Sequence, residues 1–144
     1  MRSVVHRFTE ANSARLQFLR WCPTQFQEYI AGDDFRVHVV DDEVFACQIK
    51  STADDYRYSG EAGPVELRAY NLGQELADRC RLVTRSLGLV VAGIDLRLDP
   101  KKGWRCFEVN PSPAFTYFQN GTGQLIDEGI ARLLTKKEMA KSPH

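Results

Sequence analysis

Apolar and polar positions along the chain change period several times, and each change marks an element. Phe35 to Val40 (FRVHVV) and Glu43 to Lys50 (EVFACQIK) are dense in β-branched and aromatic residues and are separated only by Asp41-Asp42. Two such runs around a two-residue acidic turn predict an antiparallel hairpin. Upstream, Thr24 to Ile30 (TQFQEYI) alternates Phe26 with Glu28 and predicts a short strand, followed by a turn at Ala31-Gly32-Asp33. From Pro64 to Leu87 the apolar residues Leu72, Leu76, Cys80, Val83 and Leu87 recur three or four apart. That spacing gives one helical face, with Pro64 in its first turn and Gly88 as its stop. Leu89 to Leu98 (LVVAGIDLRL) and Trp104 to Asn110 (WRCFEVN) predict strands joined by a turn at Asp99 to Gly103.

Thr122 to Leu134 predicts a last helix, with Ile126, Ile130, Leu133 and Leu134 on one side, and the polar tail from Thr135 is expected to fray. Ser51 to Gly63, poor in aliphatics, reads as a loop. Val4 to Phe18 is weakly periodic, with Ala14, Leu16 and Leu19 in a short helix. The expected class is α+β: one domain over residues 1–144, an antiparallel β-sheet with two main helices on one face.

Composition narrows the classes of partner. The 144 residues suffice for one domain with a core, and 43% hydrophobic with 26% charged is ordinary for a globular chain. Lys plus Arg and Asp plus Glu both total 19, so no global basic field favours nucleic acid. No apolar run approaches a membrane span, and Met1 to Glu10 has no apolar signal core. Cys22, Cys47, Cys80 and Cys106 lie far apart without a C-x-x-C pair, which fits four buried free thiols in a cytoplasmic protein.

The candidate chemistry lies in the second half. Glu108 and Asn110 are two apart on one predicted strand and therefore share a face, with Cys106 beside them. If the strand carrying Asp95 pairs with theirs, three oxygen donors converge, a set suited to a hard cation such as Mg²⁺. Taken alone, the same triple reads sooner as a solvated polar strand face.

The context of the triple is specific. Phe107-Glu108-Val109-Asn110-Pro111-Ser112-Pro113, following Val91-Ala92-Gly93-Ile94-Asp95, resembles the ATP-grasp superfamily. Gln27-Glu28-Tyr29-Ile30 is similar to the family's adenine-holding hinge strand, and Asp34-Phe35-Arg36-Val37 to its D-x-R motif. Lys50 and Arg57 fall at basic positions of that pattern. The resemblance runs from about Phe18 to Leu134 and is nearest to ribosomal-protein glutamate ligases and macrocyclising peptide ligases.

It implies the C-terminal lobe of an ATP-dependent carboxylate–amine ligase working through an acyl phosphate. Asp95, Glu108 and Asn110 would hold Mg²⁺, and Lys50 and Arg57 would offset phosphate charge. Glu28 and Tyr29 would border the adenine, and Asp34 would take the ribose. The implied partners are ATP and carboxylate and amine substrates (amino acids or peptides), with neither nucleic acid nor membrane. Two departures stand out. Pro113-Ala114 replaces the family's Pro-Gly, and only residues 1–23 precede the hinge, so the N-terminal ATP-grasp lobe is expected to be absent. A partner lobe in trans or a homo-oligomer would complete the enzyme. The alternative is a non-catalytic nucleotide-binding or protein-interaction module.

Other residues carry less. Arg36 reads either as part of D-x-R or as a solvated strand charge. His38, flanked by Val37 and Val39, reads as a strand residue rather than a general base. Asn120-Gly121-Thr122-Gly123 reads as a turn capping the last helix, and Trp21 and Trp104 as packing residues.

Overall fold

The structure is a computed structural model that describes residues 8–21, 23–51 and 65–139. Five strands form one sheet: β1 (Asp33–Val40), β2 (Glu43–Lys50), β3 (Glu66–Tyr70), β4 (Val91–Asp99) and β5 (Gly103–Asn110). Their spatial order is β3-β2-β1-β4-β5, and every neighbouring pair is antiparallel. Three α-helices accompany them: α1 (Gln74–Ser86), α2 (Thr116–Thr122) and α3 (Ile126–Met139). The α+β class and the antiparallel sheet are as the sequence predicts, and the Asp41-Asp42 turn closes the β1–β2 hairpin with Asp41 at φ 54°.

The helices do not share one face. Phe35, Val37 and Val39 of β1 point with Ala46, Ile94 and Leu96 toward α1, where Cys80 completes the cluster. Val40 packs on the other side with Ile126 and Leu133 of α3, and Cys47 and Ile49 pack with Phe118 of α2. The reason is in the central strand: the six residues Phe35–Val40 are all buried, so β1 has no solvent face and the sheet must be covered twice.

The expected helix from Pro64 to Leu87 is two elements. Glu66–Tyr70 pairs with β2 as an edge strand, and the helix begins only at Gln74. Pro64 lies outside the described residues. Leu72, Leu76 and Cys80 face the core as expected, but the next inward position is Thr84, not Val83. Thr84 is buried at no polar loss because Oγ1 donates to the Cys80 carbonyl at 2.9 Å. Val83 and Leu87 are exposed. The expected last helix is likewise divided: Gly123, at φ 71°, ends α2, and α3 continues past Leu134. Asn120-Gly121-Thr122-Gly123 therefore closes α2. Gly121 permits the close packing of α2 on β3, since a Cβ there would press on the Leu67 side chain.

Before the sheet, Glu10–Trp21 forms a 3₁₀ segment with no buried residue. Trp21 is 75% exposed, with the Arg20 guanidinium 4.8 Å from its ring centroid, whereas Trp104 meets the Phe35 ring edge-on at 4.7 Å between centroids. Thr24 to Ile30 does not pair as a strand. Of the thiols, Cys47 and Cys80 are buried and free as expected, Cys106 is exposed, and Cys22 lies outside the described residues. The β1–β2 turn is held from both faces. Arg81 Nε donates to the Asp42 carbonyl at 2.8 Å and Arg85 pairs with the Asp42 carboxylate. From α3, Arg132 grips both Glu43 oxygens, at 2.9 and 2.7 Å, and Lys136 reaches Asp41 at 3.0 Å.

Candidate functional site

Strand register builds the site row by row on the face that carries α2 and α3. Arg36, Asp95 and Glu108 stand directly opposite one another across β1, β4 and β5. The adjacent row is His38, Gly93 and Asn110. In the row on the other side Asp34 faces Arg97. The pairing needed to bring Asp95, Glu108 and Asn110 onto one face is therefore present. Cys106 does not join them. A β-bulge between Asp95 and Leu96 sets Cys106 opposite Leu96, whose side chain belongs to the α1 cluster.

The carboxylates of β1 and β4 are answered by arginines. Arg36 is buried, and its Nη1 donates to Asp95 Oδ1 at 2.7 Å. This settles Arg36 as a buried site residue rather than a solvated strand charge. Its Nε is buried without a partner among the described residues, and its guanidinium lies 5.6 Å from the Phe118 ring centroid. Arg97 binds both oxygens of Asp34, Nε to Oδ1 at 2.7 Å and Nη2 to Oδ2 at 2.8 Å. Its remaining Nη1 donates to the Ile30 carbonyl at 2.7 Å, and the guanidinium stacks 5.2 Å from the Phe107 ring centroid. The two pairs alternate in sign along both strands, so each charge faces its opposite.

Gly93 explains how Arg36 lies flat across the sheet. A Cβ there would strike the Arg36 guanidinium and the Pro113 ring. The segment after β5 therefore folds back over Gly93. Asn110 Oδ1 accepts from the Ser112 N–H at 2.8 Å, which starts the turn, and His38 Nε2 reaches the Ala114 carbonyl at 3.2 Å. Burial, and then the positive charge of Arg36, depress the His38 pKa to about 4. The imidazole is neutral at pH 7, with its proton on Nε2 and no partner for Nδ1 among the described residues. A cavity of about 230 Å³ lies beside it, lined by Val40, Val91, Phe115, Ile126 and Ile130 among others.

The remaining sequence-derived candidates are scattered more widely. Glu28 pairs with Lys102 at 3.5 Å, on the turn between β4 and β5, and Tyr29 is exposed beside it. Lys50 ends β2 on the parity of Ala46 and Gln48, the α1 side of the sheet, away from Asp95. Arg57 lies outside the described residues. Among them, no three His, Cys, Asp or Glu side chains cluster as a metal site. The donor set of the row is instead two carboxylates and an amide oxygen. One Asp95 oxygen is taken by Arg36, Glu108 is exposed without a carboxylate partner among the described residues, and Asn110 Oδ1 keeps a second lone pair. These hard oxygen donors fit Mg²⁺ with water or phosphate completing its shell.

Arg97 and the structural part of Gly93 escaped the sequence reading. Arg97 had one available signal: like Asp95, it occupies the polar parity of an otherwise apolar strand. Nothing in the sequence gives the β1–β4 register that places it against Asp34.

Comparison with known proteins identifies the pattern. Residues 14–134 match the RimK-like ATP-grasp domain. No curated protein matches the chain. Among solved structures, the ATP-grasp ligase PsnB complexed with minimal precursor is 25% identical, with a TM-score of 0.81 over 96% of this chain and 45% of that one. PsnB with a phosphomimetic precursor variant, Mg and ADP gives 25% and 0.78 over 93% of this chain and 43% of that one. A RiPP-associated ATP-grasp ligase of Chryseobacterium gregarium, in complex with ADP and a leader and core peptide, is 24% identical at a TM-score of 0.77. It covers 95% of this chain and 42% of that one and shares the fold. The chain thus spans less than half the length of these ligases. By the extent of the domain match, the chain belongs to the RimK-like ATP-grasp family.

Proposed function

We propose that this chain is the C-terminal, Mg-ATP-holding lobe of an ATP-dependent ligase that joins a carboxylate to an amine on a peptide substrate. The observation that carries the reading is the row Arg36–Asp95–Glu108 with Asn110 two residues on, all on one sheet face. It stands within a family whose structural neighbours include PsnB bound to precursor, Mg and ADP. In the proposed reaction a substrate carboxylate oxygen attacks the γ-phosphorus of ATP, giving an acyl phosphate and ADP. The amine then attacks the acyl carbon, and inorganic phosphate leaves.

Asp95, Glu108 and Asn110 would hold Mg²⁺, which when bound supplies neutralisation of phosphate charge. Arg36 keeps Asp95 oriented and adds a cation at the same row. Arg57 would meet the transferred phosphate, as its family position implies. Lys50, on the opposite parity, would act there only from the end of β2. Glu28 and Tyr29 would border the base. A second lobe, in cis or in trans, or a second copy of the chain, would close over the nucleotide. The exposed Leu16, Phe18 and Trp21 of the 3₁₀ segment offer it apolar surface. The buried free thiols Cys47 and Cys80 support a cytoplasmic location.

The test is calorimetric titration with ATP, with and without Mg²⁺, on the chain and on Asp95→Ala, Glu108→Ala and Asn110→Ala. Mg²⁺-dependent binding lost in each variant is expected. Binding that survives all three changes would remove the metal assignment.

A further inference from the structure

The segment before β1 carries Glu28 and Tyr29, yet it joins no strand and its residues from Pro23 to Tyr29 are exposed. Phe26 in its middle meets the Phe8 ring edge-on at 6.0 Å between centroids, and three anchors hold it from the β4 side. Arg97 Nη1 takes the Ile30 carbonyl at 2.7 Å, and Lys102 Nζ approaches Glu28 Oε1 at 3.5 Å. Gly32, at φ 145°, lets the chain run against the backbone of Leu98, where any Cβ would collide with the Leu98 carbonyl. All three anchors belong to β4 or to the turn that follows it.

Of these, only Arg97 is itself locked. Its Nε and Nη2 are bound by Asp34, its plane rests on Phe107, and its side chain is 16% exposed. The fork of a guanidinium can grip a carboxylate with one edge and a carbonyl with the other; an ammonium cannot. Asp34 has both oxygens occupied in this arrangement. Its carboxylate thus aims Arg97, with one further lone pair left on each oxygen. Arg97 is also two residues from Asp95 on the same strand, so β4 carries both a proposed metal ligand and the anchor of the segment proposed to border the base.

We propose that Arg97 is a positioning residue that, aimed by Asp34, fixes residues 24–30 as the base-side wall of the nucleotide site. The inference rests on the nucleotide reading above and gives Asp34 a different part from direct contact with the ribose. Removing the anchor leaves the wall in its binding arrangement only a fraction of the time, and apparent affinity falls by that fraction.

The experiment combines two readouts on the chain, Arg97→Lys and Asp34→Asn. Backbone ¹⁵N order parameters report the segment without any ligand. Calorimetry in Mg²⁺ compares ATP with inorganic tripolyphosphate, which carries the phosphates and lacks base and ribose. Expected in both variants are order parameters over residues 24–30 falling from the rigid range near ~0.85 toward ~0.6. Affinity for ATP should fall about tenfold with that for tripolyphosphate unchanged.

Order parameters that do not move, or ATP and tripolyphosphate weakened alike, overturn the proposal. Asp34→Asn weakening ATP while the segment stays rigid also overturns it and returns Asp34 to the ribose. If the unaltered chain binds ATP no better than tripolyphosphate, the base-side reading of the site fails and this proposal with it. The order parameters then show separately whether the Arg97 anchor exists.

Discussion

Neutral His38 makes this fold acid-sensitive in a way that can be isolated. The ring is 1% exposed, and burial together with Arg36 lowers its pKa from 6.5 to about 4. In the unfolded chain it returns to the ordinary value. Between those two values the unfolded state binds the extra proton, so stability rises with pH there and is lost as pH falls. The contribution is fully present above pH 6.5, begins to fall below it and levels off below about 4. At roughly 1.4 kcal/mol per pH unit, integration from pH 7.5 down to 4.5 gives a loss on the order of 2–3 kcal/mol from this one group.

The perturbation is His38→Phe, which keeps a ring against Phe118, 5.2 Å from the present imidazole centroid, and removes the titrating nitrogen. Urea unfolding of both proteins at pH 4.5, 5.5, 6.5 and 7.5 isolates the effect, because the carboxylates are common to both. The stability difference between the two should swing toward the variant by roughly 2–3 kcal/mol over that range, with about half of it already gained at pH 5.5. The variant forfeits the Ala114 hydrogen bond at every pH, which offsets the curves without changing their relative slope. Parallel curves would refute the reasoning, since they would mean that His38 titrates as it does in water.

Further outcomes follow from the same geometry. Gly93→Ala should destabilise the chain by about 1–3 kcal/mol through overpacking, read as a shift of the urea midpoint with unchanged slope. Gly88→Ala, where a Cβ meets nothing but φ is 71°, should cost less, about 1 kcal/mol. Arg36→Ala leaves Asp95 without its cationic partner and should abolish Mg²⁺-dependent ATP binding, while Lys50→Ala, on the other parity, should weaken it less; equal losses in calorimetry would contradict the register argument. Iodoacetamide at pH 8 should modify Cys106 well before Cys47 and Cys80, whose thiols burial pushes up to about 11, and peptide mass mapping reads the order.

What could be read from the sequence was whatever depends on local period. The β1–β2 hairpin, β4, β5 and the stripe Leu72-Leu76-Cys80 follow from alternation, turn residues and helical spacing. The edge strand β3 was hidden because Glu66–Tyr70 alternates over only five residues and runs into the α1 pattern within a few more. The single-face arrangement of helices failed on FRVHVV. Arg36 and His38 look like a polar face, yet both are buried, the first by its pair with Asp95 and the second by becoming neutral. In the candidate site, the Asp95, Glu108 and Asn110 face was legible because residues two apart on a strand share a side. The position of Cys106 was not, because a bulge has no signature in FEVN. Arg97 was invisible as an anchor because its partners, Asp34 and Ile30, lie more than sixty residues away.

The acidic β1–β2 turn has a practical bearing on how the chain can be altered. A two-residue hairpin tip is ordinarily a tolerant place for a tag, an inserted domain or new termini. Here Asp41, Asp42 and Glu43 are gripped by α1 on one face of the sheet and α3 on the other. Lengthening the tip would release two helices together, much as drawing a rivet frees both plates it joins. The turn at Asp99 to Gly103 is no safer, since Lys102 reaches back to Glu28. The bend after α1 shares the constraint, since the Val90 carbonyl accepts from the Asp41 N–H at 2.8 Å and the Leu89 N–H donates to the Thr84 carbonyl at 3.0 Å.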